Sequence, residues 1–242
     1  MKENLSGQTI AVTGATGDIG RAICRRLGGL GARILACGRR KSALDELVAS
    51  LGGAGAAASA FVADLSDGAQ VAELADTLRA AAPTIDAVVN NAGVARTASI
   101  EDTSADDLDL HYAINVRAPF LLVKGLLPAL QNAHDPRIVN VASVVAHKGY
   151  ARQGAYAASK HALLGLSKVM ASELASKGVL IHVVSPGGVA GDLVQTMRPD
   201  IDDAKLMSPY DVADAIAYLL RLDDQVAVDE IRLRRRASAP FA

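Results

Sequence analysis

The sequence lacks tryptophan, and aromatic residues make up only 3% of its 242 residues. The core must therefore be built from alanine and branched aliphatic side chains, which favours close packing of helices on a sheet. Hydrophobic residues still reach 50% and charged residues 21%, proportions that are typical of folded proteins and exclude intrinsic disorder or a collagen-like chain. At this length, a single α/β domain covering residues 1–242 is the simplest organisation.

The chain also lacks a large excess of charge of either sign, and it lacks long apolar runs. The chain has 25 Lys and Arg against 26 Asp and Glu, so no global field attracts nucleic acid or an anionic membrane. No uninterrupted apolar run approaches the roughly 18 residues that a membrane span needs, and the first residues do not have the pattern of a signal peptide. We therefore expect no nucleic-acid partner, no membrane partner and a cytoplasmic protein.

Residues that ligate metals are few and scattered. Cys24 and Cys37 lack metal-ligand spacing, so two buried thiols are favoured over a disulfide. The five histidines are equally dispersed, and the sequence predicts no metal site. His147 follows Ser143 closely enough to suggest that it faces a substrate. The arginines at 232 and 234–236 partly alternate with apolar residues, which favours a solvated strand edge or a subunit contact.

Short β-like runs alternate along the chain with longer segments of helical apolar spacing. The runs lie at 9–12, 33–36, 58–62, 86–89, 137–141, 180–184 and 229–233. An order of strand, helix, strand predicts parallel pairing with right-handed crossovers. We therefore predict an α/β fold with a doubly wound, seven-stranded parallel sheet and helices on both faces.

Three glycines follow the first predicted strand, where the chain turns sharply into a helix. The segment reads Thr13-Gly14-Ala15-Thr16-Gly17-Asp18-Ile19-Gly20. Glycine lets a phosphate approach the backbone, and the helix start offers unpaired N–H groups and a positive dipole end. The pattern favours a dinucleotide site over a simple tight turn; its candidate residues are Gly14, Thr16, Gly17, Asp18, Ile19 and Gly20. We expect the Asp18 carboxylate to point away from the phosphate, which it would otherwise repel.

The end of the second predicted strand carries no acidic residue. It reads Cys37-Gly38-Arg39-Arg40, at the place where an NAD-binding unit has the carboxylate that holds the adenosine ribose. A guanidinium group makes bidentate contacts with a 2′-phosphate instead. Arg39, with Arg40 or Lys41 beside it, therefore favours NADP(H) over NAD(H), and a solvated basic helix start is the alternative.

Tyr156 and Lys160 are four residues apart at the start of a predicted helix, so they share one face. The pKa of a free phenol is about 10, and a neighbouring cation lowers it by stabilising the phenolate. Tyr156 is therefore a candidate acid/base. Ser143 follows the fifth strand at the carboxyl edge of the sheet, where doubly wound folds bind ligands, and its hydroxyl is a candidate to orient a substrate oxygen.

Together with Asn90-Asn91-Ala92-Gly93 after the fourth strand and with Asn115, these motifs resemble the short-chain dehydrogenase/reductase family of the short, single-domain type. The resemblance spans residues 9 to about 190. It implies a single Rossmann-type NAD(P)-binding domain, hydride transfer between a nicotinamide and a small-molecule carbonyl or alcohol, and a homodimer or homotetramer.

The resemblance also implies roles for individual residues. Tyr156 moves the proton, Ser143 binds the carbonyl oxygen, and Lys160 holds the nicotinamide ribose and lowers the tyrosine pKa. Asn115 supports a water-linked proton relay to Lys160. The remaining cofactor contacts that the resemblance implies are Asp64, Leu65, Asn91, Ala92, Gly93, Pro186, Gly187 and Val189.

Two positions depart from the family pattern. Asp18 replaces a glycine that short members usually have, and Gly191 replaces a threonine that often contacts the nicotinamide amide. NADPH-dependent carbonyl reduction is the leading interpretation. The alternatives are a cofactor-binding regulator or scaffold with little turnover, and an NAD-dependent nucleotide-sugar epimerase, which the glycine spacing suggests and the chain length disfavours. We expect a loop at about 189–208 to select the substrate.

Overall fold

Seven short strands form one parallel sheet in the computed structural model, which describes residues 1–198 and 200–239. The strands are β1 Thr9–Thr13, β2 Arg33–Gly38, β3 Ala58–Val62, β4 Ala87–Asn90, β5 Arg137–Val141, β6 Leu180–Pro186 and β7 Glu230–Leu233. Their order is β3-β2-β1-β4-β5-β6-β7, with every neighbouring pair parallel. The predicted sheet is confirmed. Pro199, inside the predicted substrate loop, and residues 240–242 of the predicted domain lie outside the described residues.

Helices cover both faces of the sheet. Along the described chain they are α1 Asp18–Gly29, α2 Lys41–Gly53, α3 Gly68–Ala81, α4 Ala105–Tyr112, α5 Ala118–Leu130, α6 Gly154–Leu174, α7 Asp192–Met197 and α8 Pro209–Leu220. A π-helical segment, Ala113–Arg117, joins α4 to α5. Apolar residues of α1, α2 and α8 pack on one face of the sheet, and those of α3, α5 and the end of α6 pack on the other.

The central strands are apolar because both of their faces are covered. Every residue of β4 and β5 is buried, as is typical of parallel strands between two helical layers. In β1, Ile10 and Val12 join the core on one face, while Ala11 between them joins the core on the other. Because all neighbouring strands are parallel, their carboxyl ends lie at one edge of the sheet.

One helical stretch, Ala105–Leu130, is long and apolar enough to cross a membrane by length and composition. In the folded chain, 44% of its most apolar 18-residue window is buried, and Leu122, Leu126 and Leu130 belong to the core beneath the sheet. The core helix of a folded domain has the same length and composition, so this stretch is weak evidence for a membrane span.

A buried arginine links three distant parts of the chain. Arg137, 2% exposed, donates hydrogen bonds to the main-chain oxygens of Leu219 at 2.5 Å and Leu222 at 2.9 Å. It also pairs with Asp135, whose carboxylate accepts a further bond from Lys2. The start of β5, the end of α8 and the first residues of the chain are thereby held together.

Both cysteines are free thiols inside the fold. Cys24 lies on α1 and Cys37 on β2, and both side chains are buried. Burial raises the pKa of Cys24 to about 12, and it raises the pKa of Cys37 further still. Since the thiolate is the reactive form, neither side chain is a nucleophile near neutral pH.

Candidate active site

A cavity of about 890 Å³ opens at the carboxyl edge of the sheet, where β1 and β4 are neighbours and the strand order reverses. Open α/β sheets bind ligands at this switch point. Except for Asn115, every site residue predicted from the sequence lines this cavity. Parts of the predicted substrate loop also line it, including Val189–Val194 and Met197. The fold therefore brings motifs from distant parts of the sequence together.

The glycine turn is held in place by close backbone packing. Gly14 has a φ of +63°, and a Cβ there would lie 2.7 Å from the Cα of Ala92. A Cβ at Gly20 would lie 2.0 Å from the main-chain oxygen of Gly14. At Gly17, the residue before α1, the nearest described atom is 3.6 Å away, and no side chain caps the helix. The start of α1 therefore has room and free N–H groups for a phosphate.

The ends of β1 and β4 are tied together beside this turn. Asn91 donates from its side-chain amide to the main-chain oxygens of Thr13 at 3.1 Å and Gly14 at 3.2 Å. The Thr13 hydroxyl in turn accepts bonds from the main-chain N–H groups of Asn91 and Ala92, both at 3.1 Å. Asn91 thus braces the turn through its amide group.

The far end of the cavity combines basic residues with one fixed carboxylate. Arg39 and Arg40 are exposed and line the cavity. Asp64 accepts hydrogen bonds from the main-chain N–H of Ser66 at 2.9 Å and from its hydroxyl at 2.8 Å. These bonds, with a smaller contribution from the charge of Arg39, hold the pKa of Asp64 below its usual value. This end therefore offers guanidinium groups beside an ionised carboxylate.

The predicted proton-transfer residues meet at the other end. Tyr156 and Lys160 project from the first turns of α6, and they are buried along with Ser143. The Lys160 Nζ donates to the main-chain oxygen of Val141 at 2.8 Å. The Ser143 hydroxyl donates to the main-chain oxygen of Pro186 and accepts from the N–H of Val145, both at 3.3 Å.

Asn115 lies behind these residues on the π-helical segment. Its side chain accepts a bond from Val94 N–H at 2.9 Å and donates to the Val94 oxygen at 3.0 Å and to the Ser159 hydroxyl at 2.9 Å. A Cβ built on Gly93 would lie 3.3 Å from the Asn115 Oδ1 and 3.6 Å from the Lys160 Nζ. The Asn115 amide therefore holds the loop after β4 against α6, close to Lys160. The sequence pattern did not reveal the π-helix, which often marks functional sites.

Burial controls the protonation of the buried pair. It raises the pKa of Tyr156, with Ser143 partly opposing the shift, and it lowers the pKa of Lys160 to about 8. Burial dominates the pKa of the phenol, while the Lys160 Nζ lies 6.0 Å from the ring centroid. The phenol is therefore protonated at neutral pH. That Lys160 lowers the tyrosine pKa stays a prediction.

The two departures from the family pattern contact each other. The Asp18 carboxylate accepts a hydrogen bond from the N–H of Asp192, the first residue of α7, at 3.1 Å. Gly191 has a φ of +145°, and a Cβ there would lie 2.2 Å from the Asp18 Oδ2. The carboxylate is thus directed at the loop after β6, and it occupies the space that a side chain at residue 191 would need.

The structure corrects one interpretation made from the sequence and extends another. His147 does not face the cavity: its Nε2 lies 2.6 Å from the Glu230 Oε1 and 3.3 Å from the Ser185 hydroxyl, because these polar groups of β6 and β7 attract it. Arg232, Arg234 and Arg236 are exposed beside the edge strand β7, in agreement with the predicted solvated edge, but Arg234 and the half-buried Arg235 also line the cavity. The chain folds back there because Gly187 N–H bonds to the Leu233 oxygen at 2.8 Å.

Known proteins of similar sequence and structure are oxidoreductases. A model of the short chain dehydrogenase family matches residues 8–202. D-threitol dehydrogenase of Mycolicibacterium smegmatis is 38% identical over 227 residues, which cover 89% of this chain and 86% of that protein.

Solved structures agree with this match. A metagenomic short-chain oxidoreductase in complex with NADP is 34% identical, with a TM-score of 0.84 over 97% of this chain and 99% of that one. A putative NAD(P) dependent gluconate 5-dehydrogenase from Beutenbergia cavernae with bound NADP is 32% identical, with a TM-score of 0.87 over 97% of both chains. Both of these neighbours were crystallised with a nicotinamide cofactor.

Proposed function

The chain belongs to the short-chain dehydrogenase family of NAD(P)-dependent oxidoreductases, and we propose that it reversibly reduces the carbonyl group of a small molecule with NADPH. One observation carries the proposal: Tyr156, Ser143 and Lys160 line one end of a cavity whose other end has the glycine turn and two arginines. Solved relatives with bound NADP support the choice of cofactor.

The residues around the cavity fit NADP(H). The free N–H groups at the start of α1 suit the pyrophosphate, and Arg39 with Arg40 suits the 2′-phosphate. The Lys160 ammonium uses one hydrogen for Val141, so two remain for ribose hydroxyls. When bound, the cofactor supplies the hydride that the carbonyl carbon receives.

Proton transfer is assigned to Tyr156. Its raised pKa keeps the phenol protonated at neutral pH, so it donates a proton to the carbonyl oxygen as that oxygen gains negative charge. The Ser143 hydroxyl exchanges its long bond to the Pro186 oxygen for a bond to the same substrate oxygen. In the oxidative direction the phenolate form accepts the proton.

Asn115 acts on this reaction by positioning Val94 and Ser159, since its amide group is already bonded to both residues. A water-linked relay from Asn115 to Lys160 stays a prediction from the resemblance. The homodimer or homotetramer and the cytoplasmic location also stay predictions.

Replacing Tyr156 with phenylalanine tests the proposal. The variant removes the proton donor and keeps the ring, so turnover of any accepted carbonyl should fall by about 10²–10⁴-fold, measured as NADPH consumption. NADPH affinity, followed by nicotinamide emission, should stay within about threefold. Tyr218→Phe, the same substitution at an exposed position of α8, is the matched control. Near-normal turnover by Tyr156→Phe contradicts the mechanism. If the unmodified protein binds NADPH tightly but reduces no compound of a carbonyl panel, the alternative of a cofactor-binding regulator or scaffold is favoured.

A further inference from the structure

Basic side chains line the cavity around its tyrosine end. They come from the loop after β4, the segment after Ser143, the end of α7 and the segment after β7. We name them the basic rim, which consists of Arg96, Lys148, Arg198, Arg234 and Arg235. Since the whole chain has a net charge of −1, this concentration is local. The proposed 2′-phosphate residues, Arg39 and Arg40, are not part of it.

Two residues of the rim, Lys148 and Arg96, are linked to Tyr156 through one intervening ring each. The Lys148 Nζ lies 4.9 Å from the Tyr150 ring centroid, and Tyr150 packs against the small apolar cluster that includes Tyr156. The Arg96 N–H donates to His111, whose ring centroid lies 6.3 Å from that of Tyr156. Lys148 and Arg96 therefore lie on the side of the cavity that holds the proposed proton donor.

Arg235 of the basic rim lies against the loop after β6. The Cδ and Nε of Arg235 lie 3.2 and 3.4 Å from the position of a Cβ on Gly188. Gly188 follows Pro186 and Gly187, which the family resemblance places at the nicotinamide. Arg235 thus brings a positive charge to the wall beside the proposed site of hydride transfer.

The rim is only partly neutralised by the protein. Arg96 pairs with Asp107, and Arg198 pairs with Asp200 at 2.7 Å. Among the side chains that the structure describes, no carboxylate lies within 4.0 Å of Lys148 or Arg235. The Lys148 charge is therefore available to a ligand, and the charge of Arg235 acts on the Asp200 carboxyl, whose pKa it helps to lower, without a direct ion pair.

Acidic groups lining the cavity lie towards its cofactor end. Asp18 bonds to the N–H of Asp192, and Asp64 bonds to Ser66 beside Arg39. The lining carboxylates therefore lie near the proposed cofactor groups, together with Arg39 and Arg40, whereas the basic rim is next to Tyr156. A charge-assisted bond to such cations is strong where apolar walls exclude water.

We propose that the substrate is a small oxo or hydroxy compound with a carboxylate or phosphate group, which Lys148 and Arg235 of the basic rim bind while the reacting oxygen meets Tyr156 and Ser143. The inference rests on the proposed function, because it concerns the substrate of that same site. The anion fixes the orientation of the carbonyl group, so charge contributes to catalytic efficiency as well as to affinity.

Matched pairs of carbonyl compounds test this inference. One arm compares 2-oxo and 3-oxo acids with their methyl esters, and the other compares dihydroxyacetone phosphate with dihydroxyacetone. The measured quantity is the ratio of kcat/KM for the anionic member to that for its neutral partner. We expect the ratio to exceed about tenfold in at least one arm, which also distinguishes carboxylate from phosphate, and to fall as ionic strength rises.

Variants of the rim separate this effect from general reactivity. In Lys148→Met and Arg235→Met the ratio should fall about five- to tenfold each, and in the exposed control Lys177→Met it should be unchanged. If neutral compounds are reduced as efficiently as the anions, or if neither rim variant changes the ratio, the substrate is not recognised by its anionic group. Carbonyl reduction then remains the proposed function. If neither member of any pair is reduced although NADPH binds, the proposed function fails and this inference falls with it.

Discussion

Exchanging Gly191 for threonine tests the contact between the glycine turn and the loop after β6. An added Cβ would lie 2.2 Å from the Asp18 Oδ2, so the carboxylate or the loop must move. Moving either breaks the hydrogen bond to Asp192, which contributes about 1 kcal/mol. A threonine at a φ of +145° adds roughly 1–3 kcal/mol of backbone strain. The observed loop position should therefore lose about 2–4 kcal/mol.

Removing the Asp18 side chain should relieve part of this penalty. In Asp18→Gly the hydrogen bond to Asp192 is already absent, and an added Cβ at residue 191 meets no carboxylate. In the Asp18→Gly protein, Gly191→Thr should therefore destabilise the observed loop position by at least about 1 kcal/mol less than in the natural chain. This difference is about fivefold in the equilibrium constant for that loop position. The two substitutions together restore the residue types usual in the family.

The assay compares four proteins: the natural chain, Gly191→Thr, Asp18→Gly and the variant with both substitutions. Because residues 187–194 and the start of α1 both line the cavity in which we propose that the cofactor binds, NADPH affinity reports the loop position. We expect Gly191→Thr alone to weaken binding by at least about tenfold and to speed amide exchange in the first turn of α7. Gly53→Thr, at a position with open space around it, is the control. Equal losses in both Asp18 backgrounds would refute the reasoning.

Three further predictions concern the cofactor and the fold. Arg39→Asp should lower the preference for NADPH over NADH at least about tenfold in binding titrations, since it replaces a cation with an anion; an unchanged ratio rejects the 2′-phosphate assignment. Since burial lowers the pKa of Lys160 to about 8, the lysine loses its charge as pH rises through that value, and NADPH affinity should weaken from pH 7 to 9.5. In Lys160→Met the NADPH affinity should be weak and nearly independent of pH. An equal pH dependence in both proteins argues against a role of Lys160 in binding. Arg137→Met removes one partner of the Asp135 carboxylate and of two main-chain oxygens. Urea denaturation should therefore show a free energy of unfolding lower by about 3–5 kcal/mol, with only a small change for the exposed control Arg232→Met. A decrease of less than about 1 kcal/mol contradicts this role of Arg137.

The strands and most of the cavity residues were predictable because their signals are local. A buried parallel strand is a short apolar run, and the motifs after β1, β4 and β5 necessarily meet where the carboxyl ends of those strands share one edge. Glycine spacing and the tyrosine-lysine spacing are equally local. The family resemblance then connected these signals into one site.

What the sequence did not reveal depends on contacts between distant residues. Asp18 and Asp192 are 174 positions apart, so nothing local links the two departures from the family pattern. The same holds for Arg235, which reaches the cavity only because the chain after β7 folds back beside Gly187. The pKa of Tyr156 depends on how completely the fold excludes water from it, and spacing along a helix does not give that quantity.

The buried thiols have a practical consequence for measuring motion at the cavity. Cys24 and Cys37 are the two cysteines of the chain, and both are inside the fold with raised pKa values. A maleimide dye therefore has no reactive target on the native protein. One cysteine introduced at Leu193, an exposed position on α7, becomes a unique point of attachment. Any movement of α7 at the cavity mouth can then be followed in solution by fluorescence, without first replacing either native cysteine.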